Sequence, residues 1–281
     1  ITKDDKESIS KAISILSKLT SCSINISLRK ESDSFLRELN DVIIHNVSGP
    51  HPSGNLSTII NRVSPINKGD VIWTLNLPDL VLIGKAFLEL KFSAERIIAL
   101  VGSSVSDPKY VKTLIGSDVS GFMNLKEKNS RIISGNVLTG TKLDSNAHLR
   151  YYNNEITAIP EGNDYDLFGW AKPMFDKFSV SRALTFSWLF PEKKYDLNTN
   201  TNGEHRAFVV TGSFEEVFPL DIYPMQILKA CMYKDLDEME ALGMYEVSPE
   251  DFALTEFICV SKQPHQNIIR EGLDLMKKEI G

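Results

Sequence analysis

The chain has 281 residues, 31 of them basic and 37 acidic, a formal charge of −6 that offers nothing to nucleic acid. Its 42% of apolar residues can fill real cores, in one large or two to three small domains. No apolar run reaches the roughly 18 residues of a membrane span, and no long apolar core of a signal peptide follows the first charges. Cys22, Cys231 and Cys259 are too few and too dispersed for a disulfide scaffold, which points to a reducing compartment.

Residues 8–19 set Ile9, Ala12, Ile13, Leu16 and Leu19 on one face, opposite Lys11, Ser14 and Lys18, which predicts an amphipathic helix. Alternation of Ile24, Ile26 and Leu28 predicts a strand over 23–28. A helical turn is expected at 35–39 and a strand from Val42 to His45. Gly49, Pro50, Pro52 and Gly54 then force a turn, and 57–60 can carry the chain into a helix. Strand, glycine-rich turn and helix let backbone N–H groups converge on an anion, so His51, Ser53, Gly54 and Asn55 are candidate contacts for a phosphate or cofactor. The spacing is neither GxGxxG nor a Walker A loop, and a plain structural turn explains it as well. A strand at 71–75 and an apolar helix at 80–90, packed on a sheet, complete the pattern of an α/β layer domain.

Strands at 97–101, 111–115 and 131–138, a short helix at 119–125 and alternation in 151–159 suit a small ubiquitin-like β-grasp module. Tyr165, Phe168, Trp170, Phe175, Phe178, Phe186, Trp188 and Phe190 crowd 162–191, a density found in partner surfaces and in hinges between domains alike. Residues 193–204, KKYDLNTNTNGE, read as a mobile polar loop. Beyond Phe214 the pattern is helical. Pro224 opens a helix with Ile227, Leu228, Cys231 and Met232 on one stripe, and Gly243 stops a second over 236–242. Ser248, Pro249, Glu250 and Asp251 form a start signal with Ser248 as N-cap, and a last helix is expected over 267–280. Eight acids and no base lie from Asp235 to Glu256, a charged surface that solvates a helical bundle or steers a basic partner.

No catalytic or metal-ligating set stands out. His45 and His51 flank a turn without a third ligand, and His148, His205 and His265 are isolated. Cys259 and His265 can meet across Pro264, but no triad partner or oxyanion loop accompanies them.

The motifs GPHPSGN (49–55), VIW (71–73), DLVLIGKAF (79–87), RIISGNVLTG (131–140), DLFGW (166–170) and FPLDIYPMQIL (218–228) occur in this order. In them the chain resembles the A-subunit family of the sodium-translocating NADH:quinone oxidoreductases, nearly throughout from about Ile43 onward. That resemblance implies a fold related to the flavin-binding subunit of complex I and to the C subunit of the Rnf complex. The implied domains are a partial Rossmann-like α/β domain (1–95), a β-grasp, SLBB-like domain (96–160), an aromatic-rich connecting segment with a mobile loop (161–212), and a ferredoxin-like helical domain without clusters (213–281). It also implies a substantial N-terminal region ahead of Ile1.

The Rnf relative holds two iron–sulfur clusters on cysteine motifs. The matching stretches here, SFEEVFPLDI (213–222) and LTEFICVSKQ (254–263), keep only Cys259. Where the flavin-binding relatives pair a glycine with an acid, Gly54 is followed by Asn55 and Leu56, and leucine cannot hold a ribose hydroxyl. The resemblance thus implies an accessory pump component with no cofactor of its own, on the cytoplasmic face of the bacterial inner membrane. Its partners would be the quinone-side membrane component, the B subunit, together with ubiquinone, while FMN, FAD, riboflavin and iron centres reside in other subunits. A free-standing FMN- or NAD-binding reductase and a small-ligand binding module are the alternatives.

Overall fold

The computed structural model describes residues 5–31, 35–144, 148–163, 166–169, 171–172, 177–182, 187–209 and 212–280. They gather into two units built from non-consecutive stretches: 1–94 with 217–252 and 266–281, and 95–216 with 253–265. Of the eight aromatics singled out above, Tyr165, Trp170, Phe175 and Phe186 lie outside the described residues.

In the first unit, the apolar stripe of 8–19 becomes α1 (Lys6–Leu19), burying Ile9, Ala12 and Ile13. The alternating residues form β1 (Ile24–Arg29), which pairs in parallel with β2 (Val42–Val47), in register from Ile24↔Val42 to Arg29↔Val47. A 3-10 turn, Phe35–Glu38, links them and buries Leu36. Helices α2 (Leu56–Val63) and α3 (Leu77–Glu89) follow. Ile9, Ala12, Ile13, Leu36, Leu80 and Val81 form the core, with Ile24, Ile26 and Leu28 of β1 packed against it. The stripe stops short of Leu19, which is exposed.

Helix α3 packs directly on α1. Gly84 permits this approach, because a Cβ there would lie 1.8 Å from the Ser8 carbonyl oxygen. The expected strand at 71–75 does not form. Among the described residues no strand pairs with it, and Val71 and Trp73 are 79% and 77% exposed. Alternation there is a surface pattern without a ladder to reward it.

The helical part of this unit contains α4 (Pro224–Tyr233), α5 (Leu236–Ala241) and, from Gln266 onward, α7 (His265–Glu279). Proline opens α4 where its missing N–H costs nothing. Ile227, Leu228, Met239, Met244, Phe252 and Ile269 are fully buried, whereas Met232 turns outward. The Cys231 thiol sits 3.6 and 3.8 Å from the sulfurs of Met239 and Met244. Burial pushes it up to about 11, so it behaves as a small apolar group.

The second unit contains a five-stranded mixed sheet in the order β4-β3-β7-β5-β6. Its strands are β3 (Glu95–Val101), β4 (Lys109–Leu114), β5 (Ser130–Ser134), β6 (Thr141–Lys142) and β7 (Glu155–Pro160). Strands β3 and β7 run parallel at its centre, and the other pairs are antiparallel. Ile98, Leu100, Val119, Leu149 and Ile156 form its core. The helix expected at 119–125 shrinks to a 3-10 turn, Ser120–Phe122, because Leu125 is drawn into a β-bridge with Val105.

In the same unit, α6 (Ala253–Ile258) leads to Ser261, whose carbonyl accepts from the Arg206 N–H at 2.9 Å. The His265 ring lies against Phe208 and Phe214, and its Nδ1 is 2.9 Å from Thr255 Oγ1. Burial holds this histidine down at about 4, hence neutral at physiological pH. Phe178 meets Tyr195 and Phe257, while Phe168, Trp188 and Phe190 stay exposed.

Gly84→Ala should force α1 and α3 apart and cost about 3 kcal/mol, the upper range for overpacking a filled core. Urea denaturation measures it, and an unchanged midpoint with an unchanged slope would refute the close helix contact.

Candidate functional site

Parallel pairing brings the carboxyl ends of β1 and β2 to one edge, the usual place for ligands in open α/β sheets. A cleft of about 510 Å³ opens there, lined by Arg29, Glu31, His51, Ser53 and Gly54 among others. The Ser48–Asn55 turn forms one wall. Gly49 adopts φ +127°, a conformation that side chains strain to reach, so glycine is required at this corner. The turn is tied internally by Ser53 N–H to Pro50 O at 3.0 Å and Asn55 N–H to Pro52 O at 2.8 Å. Of the four candidate residues, His51, Ser53 and Gly54 reach the cleft. Asn55 instead becomes the N-cap of α2, without a capping bond from its side chain.

At the amino end of α2, where a bound anion would sit, the Glu250 carboxylate accepts the Leu56 N–H at 3.3 Å. The chain thereby supplies its own negative charge to the positive end of the helix. Burial, and then the neighbouring Asp251, push the Glu250 carboxyl above its ordinary range, while the Leu56 N–H and His51 pull it back. Asp251 itself is buried. Its Oδ1 accepts from the Ser57 hydroxyl, and its Oδ2 accepts the Ser248 N–H at 2.8 Å and the Ser248 hydroxyl at 3.1 Å. Ser248 therefore donates with its side chain, where an N-cap serine would accept.

The acidic stretch is correspondingly less solvated than its composition suggests. Asp235 caps α5 through the Glu238 N–H, Glu240 pairs with Lys68 at 3.0 Å, and Glu246 accepts from Asn61 at 2.5 Å. The positions that hold α2, and with it the end of the turn, are thus Glu246, Glu250 and Asp251, which sequence reasoning assigned to a solvated surface and a helix start. The Ser-Pro-Glu-Asp cap pattern was the available clue.

A smaller cleft of about 270 Å³ in the second unit is lined by Gly135, Asn136, Thr139, Gly140 and Asn153. Asn136 Oδ1 accepts the Leu138 and Thr139 N–H groups at 2.9 Å each, and Thr157 Oγ1 donates to the Gly135 carbonyl at 2.7 Å. These loop polar groups are spent on the loop's own shape. Nearby, Arg131 Nε donates to Glu161 at 3.0 Å, Thr199 Oγ1 donates at 2.8 Å, and Lys142 lies 3.7 Å away. The Arg131 hydrogen bonds, with help from Thr199 and Lys142 and against some desolvation, hold the Glu161 carboxyl down at about 2.

His45 Nε2 is 2.8 Å from Asn25 Oδ1, and His148 lies in a bridge with Asp118. Among the described residues, no group of three or more His, Cys, Asp or Glu could hold a metal ion.

Residues 1–92 match the family model for the NqrA second alpha/beta domain, and 97–145 match that for the NQRA C-terminal domain, an SLBB domain. The NqrA protein of Neisseria meningitidis serogroup B, named for the Na(+)-translocating NADH-quinone reductase, is 35% identical over 283 aligned positions. The chain belongs to the NqrA family. NqrA proteins of Vibrio parahaemolyticus and Vibrio alginolyticus are 35% and 34% identical over 287 positions. Each alignment covers 99% of this chain and 63% of the relative, so the chain spans under two thirds of the curated NqrA proteins it matches. No helix among the described residues is long and apolar enough to cross a membrane.

Two outcomes follow for the acids. Asp251→Ala strands both serines and should cost about 3 kcal/mol. Glu250→Gln keeps an acceptor for Leu56 and removes a charge whose ionised form the fold disfavours. Since the folded carboxyl titrates above its unfolded value, wild-type stability rises as pH falls through that higher value. The glutamine variant should match or exceed wild type at pH 7 and lose this advantage in acid. Denaturation midpoints across pH read both, and a Gln variant clearly weaker at pH 7 would contradict the sign.

For Glu161 the sign reverses. A carboxyl held at about 2, against 4.5 ordinarily, stabilises the fold above pH 4.5 and loses that contribution as pH falls toward 2. Arg131→Met should return the Glu161 carboxyl toward its ordinary value and start acid unfolding at higher pH. Carboxyl NMR titration tests this, and an unmoved Glu161 midpoint would count against the ion pair.

Proposed function

We propose that the chain is the peripheral, accessory part of a sodium pump that couples NADH oxidation by ubiquinone to Na+ export, and that it carries no cofactor of its own. The observation that carries this reading is identity of about 35% along 99% of the chain to NqrA proteins, named as one component of such a reductase. The site chemistry agrees with it. Hydride transfer requires a flavin or nicotinamide fixed against its partner. At the turn that could cradle one, Leu56 stands where an acid would hold a ribose, and Glu250 places a like charge where a phosphate would bind.

In this reading the chain sits on the cytoplasmic face of the bacterial inner membrane. The 49–55 turn and its cleft present docking or quinone-proximal surface to the membrane-embedded B subunit, while flavins and iron centres reside in the partner proteins. We also read 1–95 as a partial Rossmann-like domain, 96–160 as a β-grasp domain, 161–212 as a connecting segment and 213–281 as a ferredoxin-like scaffold. The parallel β1–β2 pair flanked by helices and the mixed sheet with its central parallel pair support the first two.

Gly54 gives the test its handle. An added Cβ there meets nothing within 4 Å, so Gly54→Trp places a bulky group at the cleft mouth at a position whose backbone accepts a side chain. Introduced into the whole NqrA protein of the reconstituted complex, it should lower steady-state NADH:quinone turnover or assembly while the partners' flavin content stays unchanged. The isolated chain should neither oxidise NADH nor reduce quinone in an anaerobic titration with NADH and FMN. Bound flavin reduced by NADH in that titration would establish the free-standing reductase instead, and a complex turning over fully without this protein would end the accessory role.

A further inference from the structure

Scattered exposed apolar side chains are ordinary, but consecutive ones on a tight turn are not. In the second unit a 3-10 turn, Ser187–Leu189, is anchored by buried Ser187, and Trp188, Leu189 and Phe190 are 61%, 51% and 59% exposed. The Phe190 N–H returns to the Ser187 carbonyl at 3.4 Å, and the Lys193 N–H returns to the Phe190 carbonyl at 3.2 Å. Two successive turns thus present three large apolar groups beside Lys193 and Lys194, with Glu192 the acid among them. Lys193 lies over the Tyr195 ring, 5.3 Å from its centroid, and Lys194 is exposed.

We propose that this turn is a lipid anchor that inserts Trp188, Leu189 and Phe190 into the headgroup–acyl boundary of a bilayer, with the two lysines on anionic headgroups. Trp is the side chain that favours this boundary, and long cationic side chains reach from it to phosphate. The charge setting distinguishes this turn from another exposed apolar stretch, 71–73. There the adjoining charges are Asp70 and a Lys68 already bound to Glu240. The chain as a whole carries −6, so attraction to an anionic surface has to be local and insertion has to lead. The chemistry of the turn supports this whatever complex the chain enters.

Co-sedimentation of the full chain with vesicles of two parts phosphatidylcholine to one part phosphatidylglycerol tests it. Wild type should partition onto them, and W188S/L189S/F190S should lower the partition coefficient about 100-fold. K193Q/K194Q should lower it roughly tenfold on these vesicles and leave binding to pure phosphatidylcholine unchanged. Trp188, Leu189, Phe190 and Lys194 are exposed and Lys193 is half-buried against Tyr195, and circular dichroism checks that the variants remain folded. A wild-type chain that ignores vesicles, or a triple variant that binds as wild type does, overturns the proposal. So does protection of 187–190 from hydrogen exchange by a partner protein but not by vesicles, which would make the turn a protein interface.

Discussion

One buried carboxylate ties the α/β part of the first unit to its helical part. Asp251 takes the hydroxyl of Ser57, 194 residues earlier, on one oxygen and both donors of Ser248 on the other. A buried carboxyl is costly unless its oxygens are hydrogen-bonded, which makes the geometry of both segments mutually dependent. Around it, Glu250 meets Leu56, Glu246 meets Asn61, and Glu240 meets Lys68. Helix α2 is thus held at Leu56, Ser57 and Asn61 by Glu250, Asp251 and Glu246, and the position of the 49–55 turn is inherited from that grip.

The same grip changes what the turn can do. Strand, glycine corner and helix start form a common scaffold for binding phosphate, because the helix terminus offers unpaired N–H groups and a positive potential. Here a glutamate of the same chain has taken the Leu56 N–H and supplied the charge. What remains of the site is the cleft beyond the strand ends, where Arg29, His51 and Ser53 face solvent without a helix dipole behind them. The helix start therefore lacks the unpaired N–H and the positive potential with which such scaffolds hold a phosphate.

Local patterns were readable wherever burial repeats with the period of the element. Ile9, Ala12 and Ile13 marked α1, and Ile24, Ile26 and Leu28 marked β1, because one face of each meets the same core. Val71, Trp73 and Leu75 carry an equally good strand pattern but face solvent, since alternation cannot report whether a neighbouring strand exists. The acids from 235 to 256 misled for a related reason. Composition records their charge but not the distant donors, Ser57, Asn61 and Lys68, that make them structural. At the candidate site, GPHPSGN announced a turn, while the residue that decides its chemistry, Glu250, lies about two hundred positions away in the sequence.

The interleaved composition of the units has a consequence for biogenesis. The first 94 residues share a unit with 217–252 and 266–281, and 253–265 belong to the other one. A nascent chain leaving the ribosome therefore presents α1, β1, β2 and α3 well before the segment that fastens α2 has been made. The unit cannot close until more than a hundred further residues have been translated, and ordering such distant pairs carries a large loop-closure cost. During that interval the helix-facing side of Ser57 and the end of α2 lack their partners. Until then α2 is held only by its own hydrogen bonds and the α1–α3 core, the kind of incomplete packing from which misassembly starts.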